Sequence, residues 1–375
     1  MRTLSDTITR LAATQARMGP SGMNQSGMSG ADRLTDMVVT AANPGQLAAR
    51  FYLPEGLERA APLVVVLHGC TQTAAGYDHG SGWSTLADRH GFALLYPEQR
   101  RGNNANLCFN WFEPGDIRRD GGEALSIRNM IGQMIAEHHL DPSRVFVTGL
   151  SAGGAMTATM LATWPELFAG GAIIAGLPYG TAAGVPQAFD RMRGQGGPKG
   201  QALAELARKA SGRDGPWPRL SVWHGTADAT VSVSNMEDIV EQWRLLQGLD
   251  AAPAQTETIG GHTRRSWTDR NGRVRIEAHA IAGMGHGTPI SPSDGCGVAM
   301  PYMLDVGVNS TQQIAASWGI ADAVPVAALK APGVPRADRP APVEPRLMGS
   351  ATPQPEVSGV KKVIEDALRA AGLKR

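Results

Sequence analysis

The sequence is poor in the residues that mark several classes of protein. It has three cysteines, a low and odd number that excludes a disulfide framework, and their spacing is not that of a zinc site. Free thiols are therefore expected at Cys70, Cys108 and Cys296. Charged residues make up only 18% of the chain and the formal net charge is +1, so the composition predicts neither nucleic acid nor an acidic membrane surface as a partner.

Long apolar runs are also missing. The longest run, residues 63–67, has the length of a buried strand and is far too short to span a membrane. Residues 1–10 are polar where a signal peptide would need an apolar segment, which favours a cytoplasmic location.

Composition along the chain divides it into four segments. Residues 1–35 combine a short amphipathic helix with a connector rich in Gly, Ser and Met, and residues 36–320 form the main domain. A proline-rich linker is expected at 321–357, and an amphipathic helix at 358–375. One large α/β domain with tails fits a length of 375 residues.

The main domain alternates apolar strands with helical segments. The expected strands are 63–67, 92–96, 145–148, 171–175 and 220–223. The expected helices are 123–138, 152–163, 236–246 and 310–318. Two hairpins are expected as well, 36–40 with 46–53 and 263–268 with 273–281. Alternation of this kind predicts a mostly parallel central sheet with helices on both faces.

The most informative motif is Gly149-Leu150-Ser151-Ala152-Gly153, which has the form G-x-S-x-G. It follows a β-branched run and precedes a helical one, as in the nucleophile elbow of an α/β-hydrolase, where a sharp turn exposes the serine hydroxyl above the sheet. The alternative is a strand-to-helix turn that contains a serine by chance. The context favours the elbow, so Ser151 is the predicted nucleophile.

A serine nucleophile needs a base, and in this fold the partners follow in the order Ser, Asp or Glu, His. His286 lies in a glycine-dense loop, 283–289, after a strand, where a mobile imidazole is expected. His262 and His279 belong to a β-rich stretch and are interpreted as structural. The predicted base is therefore His286.

The orienting acid is predicted at Asp228, because it follows the strand 220–223 and so lies at the carboxyl edge of the sheet, where the elbow also emerges. The alternative is an aspartate that only shapes a turn after Gly225. Asp190 and Asp214 have no preceding strand, and Asp238 is expected on a helix surface.

The oxyanion hole is expected to combine two backbone N–H groups. One is that of Ala152, directly after the nucleophile. The other comes from the loop after the strand 63–67 and is assigned to Cys70, with Thr71 as the weaker alternative. His68, which precedes the hole, is interpreted as a supporting residue and not as a base.

Several longer motifs lie within roughly residues 36–320. They are His68-Gly69-Cys70-Thr71-Gln72, Tyr96-Pro97-Glu98-Gln99, Cys108-Phe109-Asn110-Trp111-Phe112, the elbow from Thr148 to Gly154, and Gly283-Met284-Gly285-His286-Gly287. Together they resemble the polyhydroxybutyrate depolymerase family of esterases, which is related to feruloyl and acetylxylan esterases. The resemblance implies a Ser-Asp-His carboxylesterase that needs no cofactor or metal, with Ser151, Asp228 and His286 as the triad. Many members of the family are extracellular.

The resemblance also bears on the other cysteines and on the substrate. Family members often carry cysteines at the positions of Cys70 and Cys108, which implies that the two are close in space and form a bridge in an oxidising setting. Substrate contacts are expected from Gln72 and Trp111. Other tryptophans, Trp83, Trp217 and Trp267, are candidates for a substrate wall, with core packing as the favoured alternative for each.

These observations predict a carboxylic ester hydrolase that works through an acyl-enzyme on polyhydroxybutyrate-type polyester, its oligomers or short-chain esters. The alternatives are a feruloyl or acetylxylan esterase, and a non-catalytic binding protein built on a hydrolase fold. The expected partner is a small or polymeric ester. The terminal helices are candidates for contacts with a second subunit or with a polymer surface.

Overall fold

The structure, a computed structural model, describes residues 32–322. The expected helix near the amino terminus and the expected helix 358–375 lie outside the described residues, as do residues 323–357 of the expected linker. The division of the chain into a main domain with flanking segments, and any contact made through the terminal helices, therefore stay predictions.

Strands and helices alternate along the described part of the chain. The strands are β1 (Thr35–Asp36), β2 (Ala48–Tyr52), β3 (Leu63–Leu67), β4 (Ala93–Glu98), β5 (Val145–Leu150), β6 (Gly170–Ile174), β7 (Arg219–Gly225), β8 (Gln255–Ile259), β9 (His262–Thr268), β10 (Val274–Ile281), β11 (Thr288–Ile290) and β12 (Met303–Asp305). The helices are α1 (Ala74–Ser81), α2 (Trp83–His90), α3 (Gly122–His138), α4 (Ala152–Thr163), α5 (Val185–Met192), α6 (Gln201–Ser211), α7 (Ser234–Gln247) and α8 (Ser310–Ser317). None of these helices is long and apolar enough to cross a membrane.

Ten of the strands form one sheet in the order β1-β2-β4-β3-β5-β6-β7-β10-β9-β8. The six central strands, from β4 to β10 in that order, are parallel to one another. Antiparallel strands border them, β2 on one side and β9 on the other. This is the predicted α/β-hydrolase architecture, and it brings the carboxyl ends of β3, β5, β7 and β10 to one edge of the sheet.

The central strands are apolar throughout because helices cover both faces of the sheet. Every residue of β3 is buried, and alternate side chains enter different cores. Leu63, Val65 and Leu67 pack in one core, whereas Val64 and Val66 pack in the other. The period of two along a strand explains this division.

The predicted elements agree with the structure in the central part of the sheet. The strand 63–67 and the helix 152–163 have the predicted ends, and the other predicted central strands and helices differ from the observed ones by at most two residues at either end. The hairpin of β9 and β10 is also confirmed. Three strands were missed: β8, at the sheet edge, and β11 and β12, which pair in a small parallel sheet of their own.

The first predicted hairpin is wrong in part. Only Thr35–Asp36 pairs with β2 as a strand; the Met37 N–H still donates to the Ala49 carbonyl of β2 at 2.9 Å, and residues 38–40 leave the sheet. The cause is Gln133 on α3, whose side-chain oxygen accepts a hydrogen bond from the Thr40 N–H at 3.0 Å and whose amide donates to the Val38 carbonyl at 2.8 Å. A side chain from a helix replaces the partner strand here.

Three of the four tryptophans considered for a substrate wall belong to the core. Trp83 stacks on Trp318 with ring centroids 6.0 Å apart, and Trp217 meets Trp243 edge to face at 6.0 Å. Trp267 is buried in the same core as Trp217. Core packing, the favoured alternative, is therefore correct for these three.

Candidate active site

Ser151 occupies the sharp turn between β5 and α4. Its backbone has φ 58° and ψ −117°, a strained conformation for a residue with a side chain. The turn is held on both sides, because the Ser151 N–H donates to the Ile174 carbonyl at 2.9 Å and the Ser151 carbonyl accepts from the Ala155 N–H at 2.9 Å. The serine is half-buried at the carboxyl edge of the sheet, as expected for a nucleophile elbow.

The last glycine of the motif is required by packing. A Cβ on Gly153 would overlap the carbonyl oxygens of Leu67 and His68, at the end of β3. Glycine therefore lets the first turn of α4 lie directly against the neighbouring strand. This close approach brings Ala152 next to the loop that follows β3.

Asp228 and His286 are brought together by the loops that follow β7 and β10. These strands are parallel neighbours, and their loops are joined by a hydrogen bond from the Ala227 N–H to the Met284 carbonyl at 3.0 Å. A Cβ on Gly225 would overlap the same Met284 carbonyl, so glycine is needed for this approach. The His286 Nδ1 then lies 2.7 Å from Asp228 Oδ2.

The Asp228 carboxylate is held at both oxygens. Its Oδ1 accepts hydrogen bonds from the N–H groups of Thr230 and Val231 at 2.8 and 2.9 Å. The side chain is fully covered, although the backbone is partly exposed. Burial alone would raise its pKa, but hydrogen bonds from His224, His286 and the Val231 N–H, together with the charge of His286, hold the pKa of Asp228 well below its ordinary value.

His224 is a residue of the site that sequence reasoning missed. It is buried at the end of β7, and its Nε2 lies 2.9 Å from the Val231 carbonyl and 3.4 Å from Asp228 Oδ2. Its ring therefore supports both the carboxylate and the turn that carries it. The only signal in the sequence was its place directly before the loop of Asp228.

The backbone N–H groups of Cys70 and Ala152, near the elbow, have no partner among the described residues, and for Ala152 this is usual in the first turn of a helix. The side chains of both residues contribute to one apolar cluster. The neighbouring Thr71 N–H donates to the Asn106 carbonyl at 2.7 Å. The Thr71 N–H is thus already engaged, which favours Cys70 as the predicted donor from this loop.

His68 sets the direction of the Cys70 N–H. Its Nε2 accepts a hydrogen bond from the Gln99 N–H at 3.1 Å, so its Nδ1 carries the proton and donates to the Gly69 carbonyl at 2.8 Å. In a trans peptide the carbonyl and the next N–H point in opposite directions. The Cys70 N–H therefore points away from His68, and burial lowers the pKa of this histidine.

The disulfide Cys70–Cys108 joins this loop to the next one. The expectation of free thiols is therefore wrong for this pair, whose proximity the family resemblance implied. It is correct for the buried Cys296.

The Cys108 segment is anchored in turn, since the Gln99 amide donates to the Cys108 carbonyl at 3.0 Å and to the buried carboxyl of Glu123. Burial raises the pKa of Glu123 to about 8, although hydrogen bonds from Asn110 and Gln99 oppose the shift.

The expected substrate contacts lie close to the elbow but are partly engaged. Trp111 packs in the same apolar cluster as Ala152 and is only 7% exposed. The side-chain oxygen of Gln72 accepts a hydrogen bond from the Gly69 N–H at 2.8 Å, which leaves its amide nitrogen for a ligand. Both contacts stay predictions.

The Ser151 hydroxyl makes no hydrogen bond to another described residue. In residues 32–322 no three His, Cys, Asp or Glu side chains are placed to hold a metal ion.

The parallel sheet and the serine at its elbow are those of an α/β-hydrolase. Within that class, residues 24–266 match the family model Esterase PHB depolymerase, and the chain belongs to this family. It is a serine carboxylester hydrolase.

Named relatives point in the same direction. The chain is 48% identical over 291 residues to poly(3-hydroxyalkanoate) depolymerase C of Paucimonas lemoignei, and the aligned region covers 76% of this chain and 70% of the relative. It is 32% identical over 269 residues to feruloyl esterase B of Talaromyces stipitatus, and the aligned region covers 69% of this chain and 74% of that esterase. Among solved structures, acetyl xylan esterase from Aspergillus awamori has a TM-score of 0.66 and 27% identity, and covers 77% of this chain and 99% of that chain.

Replacement of Cys70 tests the oxyanion hole. Cys70→Pro removes the N–H and is expected to lower kcat by about 10²–10³-fold, the usual cost of one oxyanion donor. Cys70→Ala keeps the N–H and loses only the disulfide, so it should retain much of the activity. Hydrolysis of p-nitrophenyl butyrate, with melting temperature as a check of folding, measures both variants.

Cys108→Ala is the matched control, because it breaks the same disulfide without altering the backbone of Cys70. Equal activity of Cys70→Ala and Cys108→Ala would assign their shared loss to the disulfide. A folded Cys70→Pro protein as active as Cys70→Ala would remove Cys70 from the oxyanion hole.

Proposed function

We propose that the protein hydrolyses 3-hydroxyalkanoate esters through an acyl-enzyme formed on Ser151. The hydrogen bond between His286 Nδ1 and Asp228 Oδ2, at the same sheet edge as the strained elbow, carries the proposal. Because Nδ1 is held by the carboxylate, Nε2 is the ring nitrogen left to act on the serine.

The reaction follows from these roles. Ser151 Oγ attacks the ester carbonyl while His286 Nε2 takes its proton, and the N–H groups of Cys70 and Ala152 stabilise the oxyanion. The C–O bond to the alcohol then breaks, and the proton passes from His286 to the departing oxygen. Water repeats the sequence on the acyl-enzyme, releasing the acid and restoring the Ser151 hydroxyl.

The choice of substrate rests on the relatives. Identity to the named depolymerase is 48%, against 32% for the feruloyl esterase. The second candidate is acetylxylan, favoured by the structural likeness to the acetyl xylan esterase. A non-catalytic binding protein is disfavoured, because the strained backbone of Ser151 is a cost that binding alone does not require.

The disulfide bears on the compartment. Disulfides persist in oxidising surroundings. The bond between Cys70 and Cys108 therefore supports the extracellular setting that the family resemblance implies, and argues against the cytoplasmic expectation.

A panel of esters tests the substrate class. We expect kcat/KM to be higher for oligomers of 3-hydroxybutyrate than for methyl ferulate or acetylated xylan, with Ser151→Ala as the blank for each. Release of free acid, followed by titration at constant pH, measures all three on one scale. A preference for acetylated xylan would replace the proposed substrate with the second candidate and leave the catalytic assignment intact.

A further inference from the structure

A tight turn next to the catalytic edge has an unusual residue at its third position. Met300 and Met303 close the turn with backbone hydrogen bonds of 2.8 and 3.3 Å, and Pro301 and Tyr302 lie between them. Tyr302 has φ 66°, the value that a type II turn requires at its third position and that normally selects glycine or asparagine. A bulky residue in this conformation is strained, and strain of this kind is often found at functional sites.

The ring of Tyr302 lies against the predicted base. Its centroid is 6.2 Å from that of His286, with an angle of 81° between the ring planes, an edge-to-face contact. The turn is also tied to the loop of His286, because the Thr288 N–H donates to the Tyr302 carbonyl at 2.8 Å. The side chain is nevertheless on the surface, and its hydroxyl makes no hydrogen bond to another described residue. Part of the Tyr302 side chain is thus accessible beside His286.

The residues before the tyrosine extend the same surface. The segment 298–302, Val298-Ala299-Met300-Pro301-Tyr302, carries no charge, and Val298 is 44% and Tyr302 37% exposed. Exposed apolar residues are ordinary when scattered singly, but an uncharged run that ends in a residue touching the predicted base is a candidate binding surface.

We propose that the segment 298–302 is a docking surface for the chain of an aliphatic polyester, with Tyr302 as the contact beside His286. The inference rests on the proposed function and deepens it. An aliphatic polyester has methyl and methylene groups and no charge, which matches the segment. A hydroxylated polysaccharide would need several hydrogen-bonding side chains, and the tyrosine hydroxyl is the only polar side-chain group in this run.

Tyr302→Gly separates a substrate contact from a structural role. Glycine suits φ 66°, so the variant should fold and keep the turn, while the ring is lost. We expect its rate on particulate poly(3-hydroxybutyrate), relative to its rate on p-nitrophenyl acetate, to fall by roughly ten-fold. Tyr302→Phe keeps the ring and should keep that ratio. If the tyrosine only shaped the turn, Tyr302→Gly would leave the ratio unchanged.

Val298→Ser tests the outer part of the surface. Val274→Ser is the matched control, because Val274 is 41% exposed and lies at the start of β10, roughly 23 Å from the end of that strand at the catalytic edge. Adsorption to poly(3-hydroxybutyrate) granules should weaken several-fold for Val298→Ser and stay unchanged for Val274→Ser. Equal adsorption of both variants would overturn the docking surface.

Failure of this inference can be told apart from failure of the proposed function. A wild-type protein that hydrolyses soluble esters through Ser151 but neither adsorbs to the polymer nor hydrolyses it would overturn the docking surface alone. A wild-type protein that hydrolyses no ester would overturn both.

Discussion

Ser151→Ala should yield a folded protein whose kcat is lower by roughly 10⁴–10⁶-fold, the largest effect expected from any single substitution in this chain. Only the attacking oxygen is removed. Alanine has the same Cβ as serine, so the strained turn at φ 58° is no harder for the variant to adopt. The Ser151 hydroxyl makes no hydrogen bond to another described residue, so no partner is left unpaired. Hydrolysis of p-nitrophenyl butyrate measures the expected loss of kcat, and a thermal unfolding curve measures whether the variant is folded.

Ser143→Ala provides the control. Ser143 is exposed just before β5, at the end of the strand opposite Ser151. Its replacement should leave the rate unchanged. A fluorophosphonate should label Ser151 in the wild-type protein and in Ser143→Ala, and fail to label Ser151→Ala. A label on another serine would show that the nucleophile is not Ser151.

The sequence was most informative where burial is complete. Fully buried parallel strands are continuous apolar runs, and β3 is therefore recognised to the residue. The order of the triad in the chain then restricted the acid and the base to loops after particular strands. The pairing of β7 with β10, which brings the two loops together, was not predicted from the sequence.

Prediction from the sequence failed where a side chain from elsewhere in the chain replaces a partner strand, or where an element is too short to show a periodic pattern. Residues 38–40 are β-branched, as is typical of a strand, yet Gln133, distant in the sequence, makes hydrogen bonds to Val38 and Thr40. The small sheet of β11 and β12 has strands too short to show a period, and Tyr302 lies in the turn before β12. His224 was missed because a buried histidine on a strand has no local pattern that reveals its partner.

Asp228→Asn should lower kcat by roughly 10⁴-fold at pH 7, because it reverses the hydrogen bonding at one oxygen. Asp228 Oδ1 accepts from two backbone N–H groups, and Oδ2 accepts from His286. An asparagine side chain has only one oxygen, so it can accept hydrogen bonds either from the backbone N–H groups or from His286, but not from both. If that oxygen stays with the backbone, its NH₂ group faces His286 Nδ1 and favours the tautomer with the proton on Nε2. That tautomer cannot accept the proton of Ser151.

The pH at which this loss is measured follows from the pKa of Asp228. The pKa lies well below its ordinary value, so the wild-type carboxylate is ionised at pH 7 and the full effect of the substitution should be seen there. Asp238→Asn is the control, since Asp238 lies on α7 outside the loops of the predicted triad, pairs with the exposed Lys199 and should be replaceable without loss of kcat. Combining Asp228→Asn with Ser151→Ala should cost hardly more than Ser151→Ala alone, because triad members act as a unit. Near-normal rates for Asp228→Asn would mean that another carboxylate orients His286, or that His286 works without one.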